Sequence, residues 1–226
     1  MTFQVVILGA PSSGKSTLTG RLLATNPGVG WFGVRRYFTD QVRRLTPLGL
    51  KAKPYADKDH WLPDEIVGEA VRQEFARGAF TNGFIFEGMP ARLSQAFLLD
   101  EILAEVGQPL TVALHVATPD EVCLDRASRR TVCNACDFGS HQAVEDPRRP
   151  GCCVGCGGPI TRRYNDTPEL MQARLDLHRS LVDDLTGYYR DSGRLVELDG
   201  LRDRDSIFDQ AVAAITVRRQ PAGATS

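Results

Sequence analysis

The fold is decided near the N-terminus by the apolar run Val5-Val6-Ile7-Leu8 and the stretch that follows it, Gly9-Ala10-Pro11-Ser12-Ser13-Gly14-Lys15-Ser16-Thr17. This second stretch matches the pattern Gly-x-x-x-x-Gly-Lys-Ser/Thr of a phosphate-binding loop. Glycines at both ends let backbone N–H groups curl around phosphate oxygens, and the N-terminus of the following helix adds partial positive charge. We therefore predict that Gly9, Ala10, Pro11, Ser12, Ser13, Gly14, Lys15, Ser16 and Thr17 bind the phosphates of a nucleoside triphosphate.

Two side chains of this loop have predicted chemical roles. Lys15 is expected to reach the outer phosphates, and the hydroxyl of Ser16, or of Thr17, is expected to bind Mg²⁺. The alternative is a glycine-rich strand-to-helix turn that binds nothing. The strand pattern before the full motif and the helix pattern after it favour nucleotide binding.

The composition is that of a globular protein. Of 226 residues, 42% are hydrophobic and 24% are charged, so the chain can bury a core as one domain with inserted subdomains. Neither a secretion signal nor an apolar stretch of about 20 residues occurs, which predicts a cytoplasmic location without membrane insertion. The net charge of −1 gives no general attraction to nucleic acid, so none is expected as a partner.

Four of the six cysteines form two Cys-x-x-Cys pairs, Cys133 with Cys136 and Cys153 with Cys156. In a cytoplasmic chain such pairs favour a structural, tetrahedral Zn²⁺ site over disulfides. A redox pair or unliganded thiols remain alternatives. Cys152 could replace Cys153 as a ligand, whereas Cys123 lies in an apolar helix pattern and is expected to be buried.

Strand and helix patterns alternate along the chain, which predicts an α/β fold with a parallel sheet covered on both faces. The expected strands are 3–8, 84–87, 111–116 and 195–198, and the expected helices are 14–24, 64–76, 92–106, 119–127, 167–189 and 206–217. Apolar helical spacing also occurs at 37–45, after an irregular region at 27–33. Residues 129–163 break the pattern and are expected to form an inserted, zinc-bearing subdomain.

The strand Phe84-Ile85-Phe86-Glu87 ends in a carboxylate. In phosphate-loop enzymes a second acidic element at such a strand end commonly positions Mg²⁺ or its water ligands. Glu87 is therefore a candidate site residue, and the alternative is an ordinary acid at a strand end.

From Thr2 to about Asp199 the chain resembles the adenylate kinases, in the long form with a four-cysteine zinc lid. Besides the phosphate loop, the resemblance rests on three stretches: 46–53 with 62–65; Gly88-Met89-Pro90 with Gln95-Ala96; and Asp125-Arg126, Arg130, the cysteine pairs, Arg163, Asp166 and Arg174. It implies a P-loop NTPase fold with a five-stranded parallel sheet. The implied regions are a core (1–30, 64–128 and 164–226), an acceptor-binding region (31–63) and a zinc lid (129–163).

The resemblance also implies roles for individual residues. Arg126, Arg130, Arg163 and Arg174 look like the arginines that surround the transferring phosphates, with Arg126 also binding ATP and the last two also facing the acceptor. Arginine forks suit this role, because phosphoryl transfer needs neutralisation of spread negative charge. Gln95 matches the position that reads the acceptor base, and Asp166 an acidic position at the lid hinge. A monomer is implied.

The acceptor-binding region departs from the family pattern. Gly33-Val34-Arg35-Arg36 replaces Ser-Thr-Gly-Asp, and Thr39 stands where an acceptor-phosphate arginine is usual. The second such arginine normally follows the proline of Gly-Phe-Pro-Arg, but here Ala91 follows Pro90 and Arg92 comes next. There are two explanations. In the first, Arg92 together with either Arg35 or Arg36 rebuilds the phosphate clamp from new positions. In the second, the enzyme uses a different phosphate acceptor.

The wall around the acceptor base is also expected to differ. Val34, Trp61, Leu62 and Gly88 are predicted to line it, with Trp61 either offering an aromatic face or serving as plain packing. The predicted function is ATP-dependent phosphorylation of a nucleoside monophosphate, with AMP as the leading acceptor. The alternatives are a kinase of the same fold for another acceptor, and a nucleotide-gated binding module that uses the zinc knuckles.

Overall fold

The computed structural model describes residues 3–56, 61–133, 135, 145–163 and 166–219. The elements in chain order are β1 (Phe3–Leu8), α1 (Lys15–Thr25), β2 (Gly30–Gly33), α2 (Val34–Arg43), α3 (Pro47–Ala56), α4 (Asp64–Ala76), β3 (Gly83–Glu87), α5 (Leu93–Glu105), β4 (Val112–Ala117), α6 (Asp120–Ser128), β5 (Thr131–Cys133), β6 (Glu145–Asp146), β7 (Arg149–Cys153), β8 (Ile160–Arg162), α7 (Pro168–Asp191), β9 (Leu195–Asp199) and α8 (Arg204–Arg219).

Five parallel strands form the central sheet in the order β2-β3-β1-β4-β9. All six residues of β1 are buried, as expected for a central strand covered by helices on both faces. Val6 and Leu8 belong to one apolar cluster and Val5 and Ile7 to another, because successive side chains point to opposite faces. The predicted α/β fold with a five-stranded parallel sheet is confirmed.

The edge strand β2 lies in the region expected to be irregular, so that part of the prediction is wrong. The segment Gly30–Gly33 is short and begins and ends with glycine, so its sequence pattern does not predict a strand. The strand is formed by pairing with β3, where Gly30 lies opposite Phe84. A Cβ at Gly30 would lie 2.2 Å from the carbonyl oxygen of Ala79, so only glycine permits this approach.

Helix α3 is a second element that the sequence pattern does not predict. Pro54 lies inside it, where proline ordinarily interrupts a helix. Its N-terminal part is fixed by tertiary contact: a Cβ at Gly49 would lie 2.1 Å from the carbonyl oxygen of Gln41 in α2. The two helices therefore pack backbone against backbone.

The inserted subdomain consists of short antiparallel pairs. Strand β5 pairs with β8, with Thr131 opposite Arg162 and Cys133 opposite Ile160, and β6 pairs with β7. These pairs bring the described cysteines of the two knuckles together. Among the described residues, no helix has the length and apolar character needed to cross a membrane.

Candidate active site

The phosphate loop joins the end of β1 to the start of α1, at the carboxyl edge of the sheet. Gly9 and Gly14 have φ angles of 140° and 111°, which side-chain-bearing residues rarely adopt. A Cβ at Gly9 would also lie 2.6 Å from the carbonyl oxygen of Val116 in β4. The two glycines are therefore required by the backbone, and Lys15 is the first residue of α1.

Lys15 lies partly buried within the loop. Its Nζ donates to the carbonyl oxygens of Gly9 (2.7 Å) and Ala10 (2.6 Å). Burial lowers the pKa of Lys15 to about 8, and the nearby Glu87 carboxylate partly opposes that shift. The ammonium group is thus held in the loop by neutral carbonyl oxygens. Anionic phosphate oxygens would be stronger partners for it.

Ser16 and Glu87 meet at the edge of the sheet. The Ser16 hydroxyl donates to Glu87 Oε1, and Glu87 ends β3 opposite Ile7 of β1. The other oxygen, Oε2, is buried and has no hydrogen-bond partner among the described residues. A hydroxyl beside a carboxylate with an unsatisfied oxygen is a donor set suited to Mg²⁺ or its water ligands.

Arg126 of α6 connects the loop to the end of the sheet. Its Nη1 donates to the carbonyl oxygen of Ser13 (3.0 Å) and its Nη2 to that of Gly200 (2.9 Å). A cavity of about 250 Å³ extends from the phosphate loop past this guanidinium. Its lining includes Arg126, Arg130 and three residues that the sequence analysis missed: Gly200 and Arg202 in the loop after β9, and Arg204 at the start of α8. That loop carries no motif that could have revealed them.

Asp166 brings two of the predicted arginines together. It accepts two hydrogen bonds of 2.6 Å, from Nε and Nη2 of Arg130, and Arg174 Nη1 lies 3.7 Å from its Oδ1. The Asp166 side chain is only 4% exposed. The Nη2 atom of Arg163 is buried without a hydrogen-bond partner in the described part of the chain. The arrangement concentrates guanidinium groups at the base of the inserted subdomain.

On the predicted acceptor side, Gln95 is buried at 4% exposure in α5. Its Oε1 accepts a hydrogen bond from the backbone N–H of Ala91 (2.9 Å). Gly88 lies beside Val34, since a Cβ on this glycine would be 3.7 Å from the Val34 Cβ. Leu62 packs against the larger apolar cluster. Val34 directly follows β2, and Gly88 directly follows β3.

Arg92 is engaged by a carboxylate. It donates to Asp64 Oδ1 through Nη2 (2.6 Å) and Nε (3.0 Å), and its guanidinium lies 5.7 Å from the centre of the Trp61 ring. Sequence analysis missed Asp64 as a site residue, because an acid in the first turn is an ordinary helix-start signal. Arg36 lies over Trp31, 5.0 Å from the ring centre, and Arg35 is exposed.

The sulfur atoms of Cys133, Cys153 and Cys156 all lie within 4.8 Å of one another. Cys133 and Cys153 are buried, and the Cys133 and Cys156 sulfurs are 3.5 Å apart. Cys152 is not in this group, and Cys136 lies outside the described residues. Three converging thiols suit the Zn²⁺ ion that the spacing predicts.

The sequence was also compared with known protein families and proteins. The family model described as adenylate kinase matches residues 7–194. The chain belongs to the adenylate kinase family. It is 33% identical over 214 residues to an adenylate kinase of Caldicellulosiruptor saccharolyticus, covering 95% of this chain and 99% of that protein. It is 32% identical to an adenylate kinase of Methanosarcina barkeri, in an alignment that covers 93% of this chain and 97% of that protein. An adenylate kinase of Symbiobacterium thermophilum is 33% identical to it, in an alignment that covers 93% of this chain and 95% of that protein.

Membership of the adenylate kinase family makes the chain a phosphotransferase that uses nucleotides. Membership of the adenylate kinase family, predicted from the sequence motifs, is therefore confirmed. The roles of individual site residues stay predictions.

Proposed function

We propose that this protein transfers the γ-phosphate of ATP to AMP and produces two molecules of ADP. The observation that carries the proposal is the convergence of Lys15, the Ser16–Glu87 pair, Arg126 and Arg130 at the carboxyl edge of the parallel sheet. Family membership supports the same reaction. The wall residues and arginines of the acceptor side then decide how well AMP is held.

Residues 9–17 are proposed to bind the triphosphate of ATP. Backbone N–H groups of the loop and the ammonium of Lys15 would contact phosphate oxygens, and Arg126 would contact the nucleotide beside Gly200. Ser16 and Glu87 would hold Mg²⁺ or its waters, an ion that neutralises charge on the β- and γ-phosphates when bound. The buried, unsatisfied Oε2 of Glu87 fits this assignment.

Arg130, Arg163 and Arg174 are proposed to stabilise the transferring phosphoryl group. An oxygen of the acceptor phosphate attacks the γ-phosphorus, and the bond from that phosphorus to the bridging oxygen of ADP breaks. Because charge spreads over the γ-phosphate oxygens in this step, guanidinium groups that are already in place lower its barrier. Asp166 supports the step by holding Arg130 and Arg174 in position.

We also propose a function for each region of the chain. Residues 1–30, 64–128 and 164–226 would form the core, 31–63 the acceptor region and 129–163 a lid that excludes water by closing. Cys133, Cys136, Cys153 and Cys156 would hold Zn²⁺, which cross-links the lid and takes no part in the chemistry. A monomer in the cytoplasm is proposed on the family resemblance alone.

A second candidate is a kinase of the same fold for a different phosphorylated acceptor. Thr39 and Ala91 stand where acceptor-phosphate arginines are usual, and Arg92 has Asp64 as its counter-ion. For AMP to be held well, Arg92 together with Arg35 or Arg36 would have to rebuild the clamp from new positions, and Arg92 would have to leave Asp64 to bind a phosphate. This observation concerns only the acceptor half of the site.

A coupled assay of ATP consumption with AMP, GMP, CMP and UMP tests both candidates. We expect AMP to have the highest kcat/KM, with no turnover by Lys15→Ala. Another monophosphate turned over faster than AMP would favour the second candidate. Transfer to none of the monophosphates, with ATP still bound, would contradict both acceptor assignments.

A further inference from the structure

Asp64 and Arg92 form an ion pair on the acceptor side of the site. Nη2 and Nε of Arg92 both donate to Asp64 Oδ1, at 2.6 Å and 3.0 Å. Nη2 also lies 3.3 Å from the carbonyl oxygen of Leu62. Asp64 is the first residue of α4. The guanidinium group of Arg92 is therefore turned toward the start of that helix.

Arg92 belongs to the short connection that leaves the end of β3. Glu87 ends that strand beside Ser16 of the phosphate loop, and residues 88–92 lead from it to the start of α5. Arg92 is also the arginine that stands one position after the usual place of an acceptor-phosphate arginine. Two anions therefore compete for its guanidinium group: the Asp64 carboxylate and the phosphate of an acceptor bound beside β3.

The ion pair is suited to exchange. The side chains of Arg92 and Asp64 are 29% and 23% exposed. Ion pairs that water can reach contribute little to stability, so breaking this one costs little free energy. A phosphate monoester carries more negative charge at neutral pH than a carboxylate does, and it also accepts paired hydrogen bonds from a guanidinium. The phosphate is therefore the stronger of the two partners.

Asp64 keeps other partners when Arg92 leaves. Its Oδ2 accepts a hydrogen bond from the Ser94 hydroxyl (2.6 Å). The carboxylate also lies in the first turn of α4, where the helix dipole favours negative charge. Partial burial raises the pKa of Asp64, but its hydrogen bonds, including those from Arg92 and Ser94, outweigh this effect and lower the pKa. Asp64 is therefore an anion at neutral pH.

We propose that Asp64 is a positioning residue that holds Arg92 away from the acceptor phosphate and so lowers the affinity of the enzyme for its nucleoside monophosphate. This inference rests on the proposed function, which places a phosphorylated acceptor beside β3. Arg92 passes from Asp64 to the phosphate when the acceptor binds, and it returns when the acceptor leaves. The free energy of the ion pair is thus subtracted from that of acceptor binding. ATP binding at residues 9–17 does not involve the pair.

The test is the KM for AMP of Asp64→Asn in the full-length protein with zinc bound. The variant keeps the shape of the side chain but loses the charge that competes with the phosphate. We expect the KM for AMP to fall about fivefold, the size of a partly exposed ion pair, with kcat and the KM for ATP nearly unchanged. Structural damage would raise KM or lower kcat, so tighter binding separates competition from a structural role.

Glu65→Gln is the matched control, because it removes the same charge one residue away. Glu65 is exposed and has no described contact with Arg92, so its KM for AMP should equal that of the wild type. A double-mutant cycle then tests whether Asp64 acts through Arg92. Arg92→Ala should raise the KM for AMP, and adding Asp64→Asn to that variant should cause no further change.

A KM for AMP that is unchanged or raised in Asp64→Asn would overturn the inference, and so would an equal fall in Glu65→Gln. Should Asp64→Asn fail to fold, Asp64→Ser removes the same charge with a residue that helix starts favour, and the same outcomes apply. AMP affinity is also measured by calorimetry. A wild type that binds AMP without turnover would contradict the proposed function, while the ratio of the two affinities would still decide the role of Asp64. Absence of AMP binding in both proteins would overturn the inference.

Discussion

The Nζ atom of Lys15 lies 2.6 Å from the carbonyl oxygen of Ala10, inside the loop to which both residues belong. Lys15 is enclosed, and Glu87, Cys123 and Arg130 are the ionisable groups that act on it. Burial disfavours the ammonium form, which is why its pKa falls from 10.5 to about 8. A phosphate group brought into this loop would favour the ammonium form again.

ATP affinity is therefore expected to depend on pH above 8. Binding that raises the Lys15 pKa takes up a proton, so affinity is full below pH 8 and declines as the pH rises above it. Calorimetry at pH 9 in buffers of different ionisation enthalpy should detect this proton uptake. Lys15→Arg is the control, because an arginine stays charged, and its ATP affinity should stay level across the interval. Identical pH profiles for both proteins would contradict the prediction.

Asp166→Asn should lower both stability and activity. The carboxylate is nearly fully buried with Arg130 and Arg174, and removing it leaves buried positive charge without a counter-ion. We expect a loss of about 3 kcal/mol in the free energy of unfolding, measured with urea. Glu105→Gln, which breaks an exposed pair with Arg72, serves as control and should have little effect. Equal stability of the two variants would refute the importance of Asp166.

Arg130→Ala should abolish measurable ADP formation while ATP still binds. Removing a group aimed at charge that develops in the transition state typically costs about 10²–10³ in kcat. Stopped-flow nucleotide binding and the coupled assay separate the two effects. Turnover within a few-fold of the wild type would exclude Arg130 from the reaction.

Glu87→Gln should increase the Mg²⁺ concentration needed for half-maximal activity. The amide can still accept from the Ser16 hydroxyl, but it lacks the charge that would attract the ion or its water ligands. The measurement is a Mg²⁺ titration of kcat at fixed ATP. Glu197→Gln in β9, an exposed acid of the same sheet, is the control. A titration curve that is unchanged in Glu87→Gln would remove Glu87 from the proposed Mg²⁺ site.

Cys153→Ser should lose zinc, whereas Cys152→Ser should retain it. Only Cys153 of these two neighbours has its sulfur within 4.8 Å of those of Cys133 and Cys156. Metal content by atomic emission gives the answer directly. Zinc loss should also lower the melting temperature of the lid before kcat changes, because the ion is proposed to be structural. Zinc retained by Cys153→Ser and lost by Cys152→Ser would reverse the assignment.

Much of the core could be predicted from local patterns. The apolar residues of β1 followed by Gly9 and Lys15 predicted strand, loop and helix in that order, and the structure has them at Phe3–Leu8 and Lys15–Thr25. The apolar run of β3 ending in Glu87 predicted an acid at the sheet edge, where it meets Ser16. These features depend on residues close together in the chain.

Features that depend on distant partners could not be predicted. Strand β2 has too short a pattern and is formed by pairing with β3, more than 50 residues later. Arg92 is predicted as a displaced clamp residue, but the sequence does not predict its partner Asp64, 28 residues earlier. Sequence spacing gave no reason to join an acid at a helix start to an arginine before another helix.

Residue type and short-range spacing are enough to predict the phosphate loop, the parallel α/β core and the two Cys-x-x-Cys pairs. The tertiary structure decided which of the neighbours Cys152 and Cys153 joins the other thiols, since successive strand residues point to opposite faces. It also decided that Arg92 lies on Asp64 and that Asp166 gathers Arg130 and Arg174. A charged side chain takes the counter-ion that folding brings within reach, and the order of residues does not encode that choice locally.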